Sequence, residues 1–185
     1  LRSRWGTMEK ILSSRGRKEK IVRDICMDFD LRPRLSSERG TAMLVTGSIY
    51  DACQYFRLFE NDTPLKGKCG LITSLDHTNT DCSREPDKGE EQYKKETYKQ
   101  FILGDEFSSL AAYEKEMKRR FIKEPARCRL LIVVSKLLVG FDAPSCSYIY
   151  LDKKLQDHAL FQAITRTNRL DGDDKDFGHV VDYKE

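Results

Sequence analysis

Apolar positions fall along this chain in two rhythms. Five short runs, AMLVT (42–46), CGLIT (69–73), RLLIVV (129–134), SYIYL (147–151) and HVVD (179–182), are nearly continuous and rich in β-branched residues. Without a polar position at every second residue, they have the pattern of strands covered on both faces. The segments between them repeat apolar residues every three or four positions: YDACQYFRLFE after the first run, YKKETYKQFI and AAYEKEMKRRFI after the second, DHALFQAITRTNR between the fourth and fifth. Strand and helix in alternation predict βαβ units, an α/β fold around a mostly parallel sheet, and ligands at the carboxyl ends of the strands. Residues 1–40, with MEKIL and KEKIVRDICMDF, read as a leading helical segment and a connection that runs from Asp28 through Pro33 to Gly40. The stretch 75–91, LDHTNTDCSREPDKGEE, has almost no apolar content and reads as a surface loop.

At 185 residues the chain is long enough for one well-buried domain. Basic and acidic residues nearly balance, 33 against 30, so any surface for a polyanion has to be local. The six cysteines include no CxxC pair, which excludes a zinc ribbon and a thioredoxin-like motif and fits a reducing cytoplasm. Apolar surroundings such as GKCGLIT fit cysteine as a small buried hydrophobe. No apolar run approaches the roughly 18 residues of a membrane span, and no signal-peptide core opens the chain, so a soluble cytoplasmic protein without a membrane partner is expected. The chain begins at Leu1 rather than Met, as a fragment of a longer protein or a processed one would.

Chemistry narrows first by absence. Gly67-Lys68 is followed by Cys69, and Asp62 stands where a phosphate loop needs glycine, so no GxxxxGK[ST] loop is available to cradle a triphosphate. FILGDE (101–106) has the outline of a strand ending in acids, but without a phosphate loop before it the segment reads as a helix end at Gly104 followed by two solvated acids. The chain is therefore not expected to hydrolyse a nucleotide unaided. His77, His158 and His179 are scattered and suggest no metal site.

Two segments carry more. In VVSKLLVGFDAPSCSYIYLD, Gly140 permits a tight turn, Asp142 emerges from it and Pro144 closes the loop before the next apolar run; by itself this is also what an Asx turn looks like. In FQAITRTNR, Gln162, Arg166 and Arg169 are spaced four and three apart and share one helical face, leaving Phe161, Ala163 and Ile164 to pack on a sheet. Placed one strand after a Gly-Asp loop at a carboxyl edge, two forked and permanently charged guanidinium groups can meet one anionic ligand. Solvated surface arginines are the plain alternative.

These segments, in this order, carry a family resemblance. LLVGFDAP resembles motif V and QAITRTNR resembles motif VI of superfamily 2 helicases and translocases. With YIYLDKKLQDHALF between them and DFGHVVDY after them, the run 129–183 is more similar to the R subunit of type I restriction-modification enzymes. Upstream, GTAMLVTGSIYDACQYF resembles the motif IV strand and helix. The resemblance implies that residues 41–185 form the second of two RecA-like domains, a three-layer α/β unit with a mostly parallel central sheet flanked by helices. ATP and Mg2+ would then be held mainly by the first RecA-like domain of the same full-length chain. It implies that Arg166 and Arg169 are arginine fingers for the γ-phosphate, that Gln162 keeps helix and nucleotide in register, and that Gly140 and Asp142 couple the nucleotide cleft to DNA. A guanidinium positioned against a transferring phosphoryl group is worth roughly a thousandfold or more in rate.

Motors of this class grip DNA through its phosphate backbone, using amides and hydroxyls at strand ends. That points to Thr46, Ser48, Thr73, Ser74 and Ser135, each of which taken alone reads first as a helix cap or turn residue. The basic cluster Lys115, Lys118, Arg119, Arg120 and Lys123 reads as a solvated helix face. By the same resemblance the partners are double-stranded DNA and the methyltransferase and specificity subunits, and the activity is ATP-driven translocation with cleavage by a nuclease domain elsewhere in the subunit. The helicase pattern carries Gly where this chain has Thr165 and Asn168, departures that favour the restriction branch. Two rival readings stay open. One is a DNA-repair or RNA helicase, separated by whether a nuclease domain lies upstream; the other is a non-catalytic doubly wound binding module, separated by whether arginine variants change ATPase activity.

Overall fold

The structure, a computed structural model, describes residues 15–73, 88–103, 106–134, 136, 141–155 and 157–184. Helix α1 (Arg15–Leu31) and a single turn α2 (Pro33–Ser36) lead into strand β1 (Thr41–Thr46), helix α3 (Ile49–Glu60) and strand β2 (Cys69–Ile72). Helices α4 (Lys88–Phe101) and α5 (Leu110–Lys123) precede β3 (Leu130–Val133) and β4 (Cys146–Asp152), and α6 (Asp157–Thr167) precedes β5 (His179–Asp182). The five expected strands are all present. They form one sheet in the order β2-β3-β1-β4-β5, with every neighbouring pair parallel. The α/β three-layer expectation is met: a parallel sheet flanked by helices.

Continuous apolar runs become parallel strands here because both faces are covered. Every residue of β1, β2, β3 and β4 is buried. Gly70 and Leu131 face Met117 of α5; on the opposite parity, the Tyr150 hydroxyl donates to Asp28 of α1 at 3.0 Å. Helix α3 starts cleanly because Ser48 accepts from the Asp51 amide at 3.0 Å, and it buries Ala52, Cys53, Tyr55, Phe56 and Phe59. Ser109 caps α5 in the same way, from the Ala112 amide at 3.2 Å, and Tyr113, Met117 and Phe121 repeat along its buried stripe.

Several expectations need correction. HVVD is a strand but not a doubly covered one: β5 is one of the two sheet edges and is only partly buried, with Val180 38% exposed. The connection expected from Asp28 begins later, since α1 continues to Leu31 and Pro33 opens its own turn. Helix α4 takes the last residues of the expected 75–91 loop, and the rest of that loop lies outside the described residues, as do Gly104 and Asp105. The leading segment also joins the main core, burying Ile21, Val22, Ile25 and Phe29. Cys53, Cys69, Cys128 and Cys146 are buried as expected, whereas Cys26 is only half-buried; burial pushes the thiols of Cys53, Cys128 and Cys146 up to about 12. Among the described residues, no helix is long and apolar enough to cross a membrane.

Helix α1 is tied down at the carboxyl end of β4. The Asp152 carboxylate is 4% exposed and receives the Arg17 guanidinium at 2.7 Å and the Tyr55 hydroxyl at 2.7 Å, with the Lys184 ammonium 3.6 Å away. Removing an acid from a buried pair strands its cation, at a cost of about 3–5 kcal/mol. Asp152→Ala is expected to lose about that much stability in chemical denaturation, with the largest gain in hydrogen exchange in α1; unchanged stability would show that α1 is held by its apolar face alone.

Candidate functional site

The geometry of the parallel sheet decides where each expected site residue stands. Helix α6 starts five residues after β4 ends and returns along the sheet for 11 residues, roughly 16 Å at 1.5 Å per residue. It therefore delivers Arg166 to the amino rim, not the carboxyl rim. The segment of Phe141 and Asp142 leads toward the first residue of β4 and stands at the same rim. The expectation of a carboxyl-edge arginine pair is thus corrected.

At that rim the two segments singled out in the sequence meet. Arg169 forms an ion pair with Asp142, Nη1 to Oδ1 at 2.8 Å, with side chains 39% and 62% exposed. Arg166 donates from Nη1 to the Phe141 carbonyl oxygen at 2.5 Å. The Asp142 loop is anchored on either side: Phe141 and Ala143 are buried, Phe141 lies against Phe121 with centroids 6.0 Å apart, and the Cys146 amide donates to the Ala143 carbonyl at 3.0 Å. Asp142 is left outward between two buried neighbours. Helix α6 ends at Thr167, so Arg169 is not on the helix and does not share a helical face with Gln162 and Arg166. Gln162 turns to its own helix, with Nε2 2.8 Å from His158 Nε2. Of the three apolar residues expected against the sheet, Ala163 is fully buried, but Phe161 is 69% and Ile164 39% exposed. Gly140 lies outside the described residues.

The sequence reading missed the groups that hold this rim. Lys175 is 4% exposed, and its ammonium donates to the carbonyl oxygens of Pro144 at 2.5 Å and Cys146 at 2.8 Å; burial draws its pKa down. Arg34 donates from Nε to Ser147 Oγ at 2.9 Å and from Nη1 to the Asp171 carbonyl at 3.1 Å, and pairs with the Asp171 and Asp174 carboxylates. Gly172 turns this segment with a φ of +71°, a conformation that favours glycine. A buried lysine in KDFG gives no periodic signal, because its partners are backbone carbonyls from another segment.

The carboxyl rim has a different character. At the β1–β4 switch point, where such sheets commonly bind ligands, Arg17 occupies Asp152, and the buried Lys18 meets Asp51 at 2.5 Å and also Gln54. Thr46 is fully buried and its hydroxyl donates to the Ser48 carbonyl at 3.1 Å. Thr73 is 8% exposed, with its hydroxyl 2.5 Å from that of Tyr98. Ser48 is exposed, but its hydroxyl caps α3 and donates to Asp51 at 2.8 Å. These three do stand at strand ends, with hydroxyls committed inside the protein; Ser74 and Ser135 lie outside the described residues. Lys118, Arg119 and Arg120 pair with Glu114 and Glu116, as a solvated helix face would. Among the described residues, no group of three or more His, Cys, Asp or Glu side chains is placed to hold a metal.

Comparison with known proteins adds an independent line. Residues 38–185 match the profile of the type I restriction enzyme subunit R domain 3 family. A Staphylococcus aureus type I restriction enzyme endonuclease subunit is 45% identical over 56 residues, 30% of this chain and 6% of that protein. A putative counterpart in Methanocaldococcus jannaschii is 56% identical over 54 residues, 29% of the chain and 5% of that protein. The HindI endonuclease subunit of Haemophilus influenzae is 41% identical over 73 residues, 38% of the chain and 7% of that protein. The matched segment thus spans only a small part of the length of these relatives.

The return from α6 to β5 has almost no slack. A Cβ on Gly178 would lie 2.2 Å from Thr167 Cβ and 2.5 Å from its carbonyl carbon. Thr167, 1% exposed, cannot move aside without carrying the end of α6 with it. Overpacking of this kind costs about 1–3 kcal/mol. Gly178→Ala is expected to lower the melting temperature and shift the NMR resonances of Thr167 to Arg169; spectra superimposable on wild type would show the contact to be soft.

Proposed function

The chain belongs to the type I restriction enzyme subunit R domain 3 family, and from that premise we propose that it is the second RecA-like motor domain of an ATP-dependent double-stranded DNA translocase and endonuclease subunit. The observation that carries this reading is the meeting of Asp142, Arg166 and Arg169 at one rim, from segments separated by a strand and a helix. Two guanidinium groups on the consecutive residues Phe141 and Asp142, one of them held by an exposed and exchangeable carboxylate, form a surface suited to a polyphosphate.

In this role Arg166 and Arg169 face the γ-phosphate of an ATP held mainly, with its Mg2+, by the first RecA-like domain of the full-length subunit. When the two domains close, the Asp142–Arg169 pair opens and the guanidinium exchanges carboxylate for phosphate. Charge spread over the phosphoryl oxygens in the transition state is then met by fixed donors. Exposed Phe161, Ile164 and Leu170, the last 86% exposed, give α6 and its exit the apolar character of a surface that another part of the protein covers. Gln162 assists by position on the same helix, and Asp142, beside Gly140, links nucleotide state to the loop before β4.

DNA is gripped at the opposite, carboxyl rim without reading sequence. There the backbone amides at the strand ends are the groups that meet phosphate, and Thr46, Ser48 and Thr73 act by holding those ends. The partners are double-stranded DNA, the first motor domain, and the methyltransferase and specificity subunits of a cytoplasmic restriction complex. Arg166→Ala or Arg169→Ala in the full-length subunit is expected to reduce DNA-stimulated ATP hydrolysis by about a thousandfold while ATP binding persists, and the 185-residue chain alone is expected to hydrolyse none. Wild-type turnover in either variant, or robust hydrolysis by the chain alone, would sink the assignment.

A further inference from the structure

Neither half of the Asp142–Arg169 pair stands on regular structure. Asp142 sits in the loop before β4, and Arg169 two residues beyond the end of α6. Groups that act on a transferring phosphoryl must be held to a fraction of an ångström, and irregular backbone does not do that unaided. The structure supplies the missing rigidity from an unexpected place, the connection between α6 and β5.

We propose that Lys175, backed by Arg34, is the positioning residue of this rim, clamping the loop that carries Asp142 to the segment that carries Arg169; the inference rests on the reading of those arginines given above. Lys175 binds two backbone carbonyls, those of Pro144 in the loop and Cys146 at the start of β4, two and four residues beyond Asp142. Arg34 makes a second staple one residue further on, joining Ser147 of β4 to the backbone and carboxylate of Asp171, two residues beyond Arg169. The same loop is held at its other end by Arg166 on the Phe141 carbonyl. Residues 141–147 and 166–175 are thereby bound together by three cations.

The choice of residue is informative. A buried ammonium is costly unless each contact is well made, and an apolar side chain of similar length would fill the space without that cost. What a hydrocarbon cannot do is fix the direction of two carbonyl groups, and hence the path of the backbone two residues away. Lys175 touches neither nucleotide nor reacting atoms in this arrangement. It acts through Asp142 and Arg169.

The test uses the full-length subunit with Lys175→Met, which keeps the stem and removes the ammonium. Expected is a fall of at least about tenfold in the turnover number for DNA-stimulated ATP hydrolysis, with ATP affinity within about twofold of wild type. Faster hydrogen exchange is expected over residues 141–147, with β1 and β3 unchanged. A wild-type turnover number, or loss of ATP affinity and global stability in parallel with turnover, would overturn the proposal in favour of simple packing. Should the methionine variant not fold, Arg34→Gln reads the second staple, with the same split expected and a wild-type turnover number again decisive against. Failure of the underlying functional reading shows separately, as Arg166→Ala and Arg169→Ala enzymes that turn over normally; unchanged exchange over 141–147 would by itself overturn the clamp.

Discussion

Parallel pairing of buried strands is the constraint from which the rest of this molecule follows. Parallel neighbours cannot be joined by a tight turn, so each crossover must carry the chain from the carboxyl rim back to the amino rim. After β1, β2 and β4 that return is made by helices, and whatever stands at a helix carboxyl end is delivered to the amino rim. Arg166 arrives there for that reason, with Arg169 just past it. The loop before β4 must occupy the same rim because it feeds the strand's first residue. A charge pair 27 residues apart in sequence, Asp142 with Arg169, is thus a consequence of topology before it is a matter of chemistry.

The two rims of the sheet divide the polar work. At the carboxyl rim, Asp152 gathers Arg17 and Tyr55, and Lys18 is sunk against Asp51, so the switch-point crevice is filled by the chain's own α1. At the amino rim, cations reach for backbone carbonyls and for acids that remain partly exposed. The first arrangement holds structure together. The second leaves Arg169 and Asp142 in solvent, where a competing anion can exchange with the carboxylate, since an exposed pair is worth little on its own.

Edge strand β5 completes the picture. Its alternating partial burial and the exposed Phe161, Ile164 and Leu170 break the rule that this sheet buries its apolar residues. Sequence periodicity places such residues on a common face but is indifferent to what covers that face. In the functional reading, the cover is the other motor domain.

Much of the fold was legible in the residues alone. All five apolar runs are parallel strands, four of them buried on both faces as such a run suggests and the fifth a partly exposed edge, and Ser48, also explicable in the sequence as a cap, does cap α3. Asp142, Arg166 and Arg169 were singled out too, through a motif pattern, and the fold brings them to one rim. Their location was not legible, since no local rule states at which rim a helix ends. The commitment of the Thr46 and Thr73 hydroxyls to internal partners, the release of Arg169 from the helix, and the role of Lys175 and Arg34 were likewise invisible. Propensity, capping and periodicity act over a few residues and are written in order along the chain, whereas a buried cation's partners are backbone atoms dozens of residues away, chosen only when the sheet brings them within reach.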